Sequence, residues 1–319
     1  HHALLTFAGG WSNPLIADWF NDYARVVFTI YGDRVKWWIT LNEPLVMCDV
    51  VYNSGTFAPP IVSPELGAHL CSKNVLMAHA KWVGHIVGKY THAIFSTTGG
   101  WPPSLEKVLE EVSIKRGYKK SFLPSFTPEE ITFVRGTYDF YAMNHYTSRL
   151  IRMAKEGETF TRWPLGDSED LGGIVQRRAD WPLTVSFWFY VYPEGIRRQL
   201  VWLRQKYGNL EFVITENGLS TYAGLDDQDR INYYKDYLRQ ILLAIKEDGV
   251  NVTGYTAWTL MDNFEWMDGY VTKLGLYEVN YTDPRRTRTP RASARFYADL
   301  IKKHALDPVT VLPLNVTVV

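Results

Sequence analysis

The sequence predicts an α/β fold built on a parallel sheet, of the (β/α)8 barrel type but short of strands. Apolar, strand-like runs alternate with segments that carry helix-start signals, the pattern of parallel strands joined by covering helices. Two of those runs stop at a glutamate followed by a chain-turning residue: Ile39-Thr40-Leu41-Asn42-Glu43-Pro44 and Val213-Ile214-Thr215-Glu216-Asn217-Gly218. The 319 residues are a length that one barrel can absorb, so the chain reads as one domain over 1–319.

The elements follow in order. Asn13-Pro14 opens a helix to about Tyr31, with proline at the first helical position. Val35 to Leu41 reads as the first strand. A helix runs from about Pro64 to Tyr90 and another from about Pro103 to Arg116. Between them, Thr91 to Gly100 holds no convincing strand. Thr127-Pro128-Glu129-Glu130 is a capping box that starts a further helix. Tyr138 to Asn144 reads as a strand. The segment from His145 to Tyr192 has Gly, Pro and Trp but no clear period, and long segments of this kind often shape a cleft mouth. Pro193 opens a helix that Gly208 ends, Leu210 to Thr215 is a strand, and Asp226 or Asp227 opens a helix that Gly249 ends. Val252 to Leu260 is the fourth strand, and Thr289-Pro290 starts the last helix, to about His304. Four strands are recognisable where a full barrel has eight.

Lys+Arg and Asp+Glu both number 34, so the formal charge is zero, which argues against nucleic-acid binding. Arg285-Arg286-Thr287-Arg288 reads as a solvated loop. No apolar run reaches the roughly 18–20 residues of a membrane span. Cys48 and Cys71 are equally readable as a disulfide or as two core thiols. Asn-x-Ser/Thr sequons at Asn251, Asn280 and Asn315 permit a secretory route. The chain begins at His1-His2 rather than Met, which reads as a missing or processed N-terminus.

In a parallel α/β barrel the C-terminal strand ends form the active-site face. Two glutamates there, Glu43 and Glu216, suit glycosidic bond cleavage. One protonates the leaving oxygen and the other attacks the sugar carbon. Each motif alone is weak, since Asn-Gly is foremost a turn signal. A third element follows the last strand: Trp258-Thr259-Leu260-Met261-Asp262-Asn263-Phe264-Glu265-Trp266-Met267-Asp268-Gly269-Tyr270. His79, His85 and His145 read as structural, with no metal-ligand constellation.

With these three motifs in order, the sequence resembles glycoside hydrolase family 1, the retaining β-glucosidases and their relatives, in an animal or insect-like form. The likeness runs from Gly9-Gly10-Trp11 almost to the C-terminus. It implies a TIM barrel of glycoside hydrolase type. Glu43 matches the acid/base, and Asn42 the residue that hydrogen-bonds the sugar 2-hydroxyl. Glu216 matches the nucleophile, Tyr146 the tyrosine that positions it, and Trp258 the platform under the sugar. Glu265 and Trp266 match the groups that read the outer hydroxyls. No cofactor or metal is implied.

The resemblance also implies a substrate class. The family's plant thioglucosidases carry Gln at the acid/base position, so Glu43 implies an O-linked β-glycoside. Its phospho-glycosidases carry Ser where Glu265 stands, so a neutral sugar is expected: glucoside, fucoside or galactoside. The expected partner is a small-molecule or oligosaccharide β-glycoside, and the expected location is secreted or extracellular. The chain departs from the family in lacking its first three strand–helix units and its fifth strand, near Lys89 to Ser96. That deficit motivates the alternative of a glycosidase-like protein that binds glycosides without turnover.

Overall fold

The computed structural model describes residues 8–81, 89–158 and 170–306. His1, His2, His85 and Asn315 lie outside the described residues. The first helix, α1 (Ile16–Tyr31), ends where predicted but starts two residues after Pro14, which lies in the turn before it rather than at the first helical position. Asn13 Oδ1 accepts the Leu15 N–H at 2.9 Å, and Ile16, Ala17 and Ala24 are buried on the inner face.

Val35 to Leu41 is not a strand, contrary to the sequence reading. A strand needs a ladder partner for its backbone groups, and no described strand pairs with this segment. Val35, Trp37 and Ile39 are consequently exposed, while Leu41 reaches the core. His79 holds the segment instead. Its Nε2–H donates to the Thr137 carbonyl at 3.0 Å, which leaves Nδ1 to accept the Thr40 hydroxyl at 3.2 Å. Burial pushes this imidazole down to about 4, so it stays neutral and structural, as expected.

After Glu43-Pro44 come a π turn (Val46–Val50) and the short helix α2 (Val51–Ser54). Cys48 and Cys71, both buried, form a disulfide that ties this turn to α3 (Gly67–Lys81). The helix expected over Pro64 to Tyr90 starts later, at Gly67. Tyr90, its expected end, lies inside a second helix, α4 (Lys89–Phe95). Tyr90, Ala93, Ile94 and Phe95 are buried, so core packing carries helix past the expected stop. The absence of a strand between Thr91 and Gly100 holds. Helices α5 (Pro103–Lys115) and α6 (Pro128–Val134) follow as predicted. The capping box is complete: Glu130 N–H donates to Thr127 Oγ1 at 3.2 Å and Thr127 N–H to Glu130 Oε2 at 2.7 Å.

The other three predicted strands form one parallel sheet. Strand β1 is Tyr141–Asn144. The long segment after it contains an antiparallel hairpin that the sequence did not reveal, β2 (Leu150–Met153) with β3 (Gly173–Gln176). Then come α7 (Glu194–Tyr207), β4 (Glu211–Asn217), α8 (Gln228–Lys246) and β5 (Asn251–Ala257). The sheet order is β1-β4-β5, an arc of a barrel. Ile196, Leu200 and Leu203 of α7 and Tyr233, Tyr234, Tyr237 and Ile241 of α8 are buried in the same core as Tyr141, Phe212 and Ile214 of the sheet.

β5 stops at Ala257, three residues before the predicted end. The chain there leaves the sheet, and Thr259 and Leu260 pair instead with residues 274–277. Thr289-Pro290 is not a helix start either. It belongs to β7 (Arg288–Pro290), antiparallel to β6 (Tyr277–Val279), and α9 (Ala292–Lys303) begins two residues later. Proline is compatible with such an edge position because its missing N–H faces no partner.

One buried ion pair fixes the segment after β5. Arg291, fully buried, clasps Asp262 with two hydrogen bonds of 2.9 Å. It also donates to the carbonyls of Gly275 at 2.7 Å and Gly224 at 2.8 Å. Removing one partner of such a pair leaves an uncompensated buried charge. Asp262→Ala is therefore expected to cost about 3–5 kcal/mol, read as a lowered urea midpoint. The Asp262→Ala/Arg291→Met double variant is expected to recover part of that loss.

Candidate active site

Glu43 sits on the loop after the unpaired segment, at φ 44°, in the left-handed region that a non-glycine residue rarely adopts. Such backbone costs of order 1–3 kcal/mol and gathers at functional sites. Trp266, at φ 43°, shares it. Glu216 comes from the end of β4. The ladder between β1 and β4 shifts register there: Met143 pairs with Ile214, but Asn144 pairs with Glu216. Thr215 is the extra residue, and its hydroxyl donates to Asn144 Oδ1 at 2.7 Å. A bulge of this kind re-aims side chains at a strand end.

Asn144 is the hub of the group. Its Nδ2 donates to Glu43 Oε1 and to Asn42 Oδ1, each at 3.0 Å. The Tyr146 hydroxyl donates to Glu216 Oε2 at 2.6 Å. Burial raises the Glu43 carboxyl above the usual range, with the Asn144 hydrogen bond opposing it. Burial also raises Glu216, and the charge of Glu43 adds to this, but Tyr146, Asn144 and Asn42 all pull it down. Tyr146 is itself pushed well up by burial and by Glu216, so it remains a protonated donor.

Glu265 belongs to the same electrostatic group. Burial first, then Asp268, Glu43 and Glu216, push its carboxyl up to about 7. A tight turn presents it, with Glu265 N–H donating to the Gly269 carbonyl at 2.7 Å. Trp266 stands beside it, exposed, with its ring edge-on to Phe57 at 5.3 Å. Trp258 is half-buried and follows β5; its N–H donates to the Asn217 carbonyl at 2.8 Å. Gly218 explains that close approach. A Cβ on it would lie 1.7 Å from the Trp258 carbonyl oxygen, so glycine is required there by contact.

The structure thus joins Glu43, Glu216, Asn42 and Tyr146 by hydrogen bonds, and Glu265 to them by charge. Trp258 follows β5 and Trp266 adjoins Glu265 in the chain, but neither indole hydrogen-bonds to Glu43 or Glu216. Sequence reasoning assigned no role to Asn144 or Thr215. The signal for Asn144 was its place two residues before Tyr146, on the same side of an extended chain. Among the described residues, no group of His, Cys, Asp and Glu could hold a metal ion.

Comparison with known proteins agrees with the geometry. The model of glycosyl hydrolase family 1 matches residues 2–99 and 85–306. The chain belongs to that family. It is 35% identical to Myrosinase 1 of Brevicoryne brassicae, over 92% of this chain and 70% of that protein. It is 33% identical to the cytosolic beta-glucosidase of Homo sapiens, over 94% of this chain and 72% of that protein. Among solved structures it superposes on the aphid myrosinase with a TM-score of 0.84, at 35% identity, over 93% of this chain and 72% of that one. The fold is the family's α/β barrel in partial form, and the chain is a glycoside hydrolase of the β-glucosidase type.

The phenol of Tyr146 stabilises the ionised form of Glu216. Tyr146→Phe removes that donor, so the Glu216 carboxyl is expected to titrate at higher pH than in the parent protein. Carboxyl-carbon NMR titration of side-chain-labelled protein checks this, and an unmoved Glu216 resonance would count against the contact.

Proposed function

We propose that the chain hydrolyses O-linked β-D-glucosides with retention of configuration, with Glu216 as nucleophile and Glu43 as general acid/base. The observation that supports this best is the contrast between the two carboxyls. Glu43 is raised by burial against a single opposing hydrogen bond, as suits a proton donor. Glu216 is raised by burial too, but the Tyr146 phenol 2.6 Å from one oxygen and two amides oppose that rise, donors that suit a carboxylate serving as nucleophile.

In the first step a Glu216 oxygen bonds to the anomeric carbon while the bond to the aglycone oxygen breaks. The Glu43 proton goes to that departing oxygen. In the second step water attacks the anomeric carbon, Glu43 takes its proton, and the ester to Glu216 breaks. Between the two steps Glu216 is uncharged, which lowers the affinity of Glu43 for a proton and lets it serve as base. In this reading Asn42 binds the sugar 2-hydroxyl, Trp258 supports the ring, and Glu265 and Trp266 read the outer hydroxyls. A β-fucoside or β-galactoside fits the same groups. A binding protein without turnover would need neither a raised acid nor a phenol-held nucleophile.

The domain is read as one unit over 1–319. The two stretches matched by the family model overlap at 85–99, where the family's fifth strand is expected and the chain forms α4 instead. The absence of that strand among the described residues also fits the missing ladder at Val35 to Leu41. A secreted location is supported by the Cys48–Cys71 disulfide and by the exposed sequons Asn251 and Asn280. No helix among the described residues is long and apolar enough to cross a membrane.

An activated 2-deoxy-2-fluoro-β-glucoside is expected to add one fluorosugar to the protein mass, mapped to Glu216. Glu216→Ala should abolish turnover of aryl β-glucosides. Glu43→Ala should slow poor leaving groups about 100- to 10,000-fold while sparing first-step cleavage of activated phenols, which need little protonation. Equal first-step losses on both would overturn the acid/base assignment. An aryl S-glucoside run in parallel tests the preference for oxygen.

A further inference from the structure

The Asn144 side chain has a defined orientation. Its Nδ2 faces two acceptors, Glu43 Oε1 and Asn42 Oδ1, both at 3.0 Å. Its Oδ1 faces the Thr215 hydroxyl at 2.7 Å. An amide can present either end to a neighbour, and only its partners decide which. Here the acceptors on one side demand the N–H end, and the Thr215 hydroxyl supplies a donor to the other. Thr215 can reach because the ladder skips it, with Met143 opposite Ile214 and Asn144 opposite Glu216.

We propose that Asn144 is a positioning residue that couples the two carboxylates, fixing Glu43 through its Oε1 beside Glu216, and that Thr215 locks the amide in the orientation this requires. The proposal rests on the assignment of Glu43 and Glu216 above. It specifies which oxygen works: Oε1 is engaged as an acceptor, so Oε2 carries the proton to the leaving oxygen and later takes one from water. The Asn144 amide also favours the ionised form of both carboxyls, opposing their burial.

The test is the pH profile of kcat/KM on an aryl β-glucoside for Asn144→Ala, Thr215→Val and the double variant. Both limbs are expected to move to higher pH in Asn144→Ala, by about one unit, the size of one hydrogen bond to a charged group. The plateau should fall about 10- to 100-fold. Thr215→Val, nearly isosteric, should move the limbs the same way by less. The double variant should move them no further than Asn144→Ala, because Thr215 acts through Asn144.

A lowered plateau with unmoved limbs in both single variants would reduce Asn144 to a structural residue and overturn the proposal. If Asn144→Ala does not fold, Thr215→Val decides alone: shifted limbs support the lock and unmoved limbs overturn it. The parent reading fails separately. Failure of the fluoroglucoside to label Glu216 in the unmodified chain would remove both, whereas labelling with unmoved limbs would remove only the role of Asn144.

Discussion

The site depends on the register break at the end of β4. A regular parallel ladder would carry Thr215 opposite the residue after Met143 and turn Glu216 away from Asn144. Instead Asn144 pairs with Glu216, and Thr215 is left over to bind the Asn144 side chain. The ladder to β5 breaks in the same place, between Ile214 and Asn217. One extra residue therefore orients three groups at once: the Glu216 carboxyl, the Asn144 amide and the main chain that receives Trp258. Moving any one of them requires moving the others, which is how a few short hydrogen bonds can fix a site at an open strand end.

Behind that break stands a layer that touches neither carboxylate directly. Asn217 Nδ2 donates to the His145 carbonyl at 2.6 Å and to the Tyr233 hydroxyl at 2.8 Å, while its Oδ1 accepts the Tyr255 hydroxyl at 2.7 Å. His145 N–H in turn donates to the Glu216 carbonyl at 2.9 Å. Burial pushes the His145 imidazole down to about 4, so it is neutral, and its Nδ1–H donates to Gln199 Oε1 at 2.9 Å. Strand ends β1, β4 and β5 and helices α7 and α8 are thus joined by buried polar groups that hydrogen-bond to one another, although His145 Nε2 is buried without a partner among the described residues, and such linked groups favour one arrangement over others. The Arg291–Asp262 clasp does the same for the segment that carries Glu265.

Local patterns in the sequence reached most elements whose causes are local. The capping box at Thr127, the Asn13-Pro14 start and the Pro193 and Gly208 bounds all lie within a turn of what they control. What failed depends on distant neighbours. Val35 to Leu41 has the composition of a strand, but a strand is a property of a pair, and its partner is not among the described strands. Tyr90 looked like a helix end until core burial carried α4 to Phe95. Thr289-Pro290 resembles a helix start, yet pairing with Tyr277 and Glu278 claims it for β7. In the site, Glu43 and Glu216 were legible as glutamates that end strand-like runs, and Tyr146 only through the resemblance to the family. Asn144 and Thr215 were not, because their importance arises from a one-residue register shift that no local pattern announces. Asn217-Gly218 was read only as a turn, yet both residues are required by contacts, the amide by three partners and the glycine by Trp258.

Three carboxyls converge here, and their mutual repulsion forbids all three from carrying full charge at little cost. What separates them is the supply of donors. Glu265, buried beside Asp268, Glu43 and Glu216, has no opposing hydrogen bond among the causes that push it up to about 7. Glu43 is opposed by one amide, and Glu216 by a phenol and two amides. Glu216 has the most donors to hold an ionised form, and charge placed there raises the proton affinity of its neighbours. When that charge is consumed in a covalent bond, the same coupling runs in reverse, and the proton on Glu43 is held less tightly. A single cluster can thus serve first as acid and then as base with no rearrangement of the protein, provided the donors stay where the bulge at Thr215 puts them.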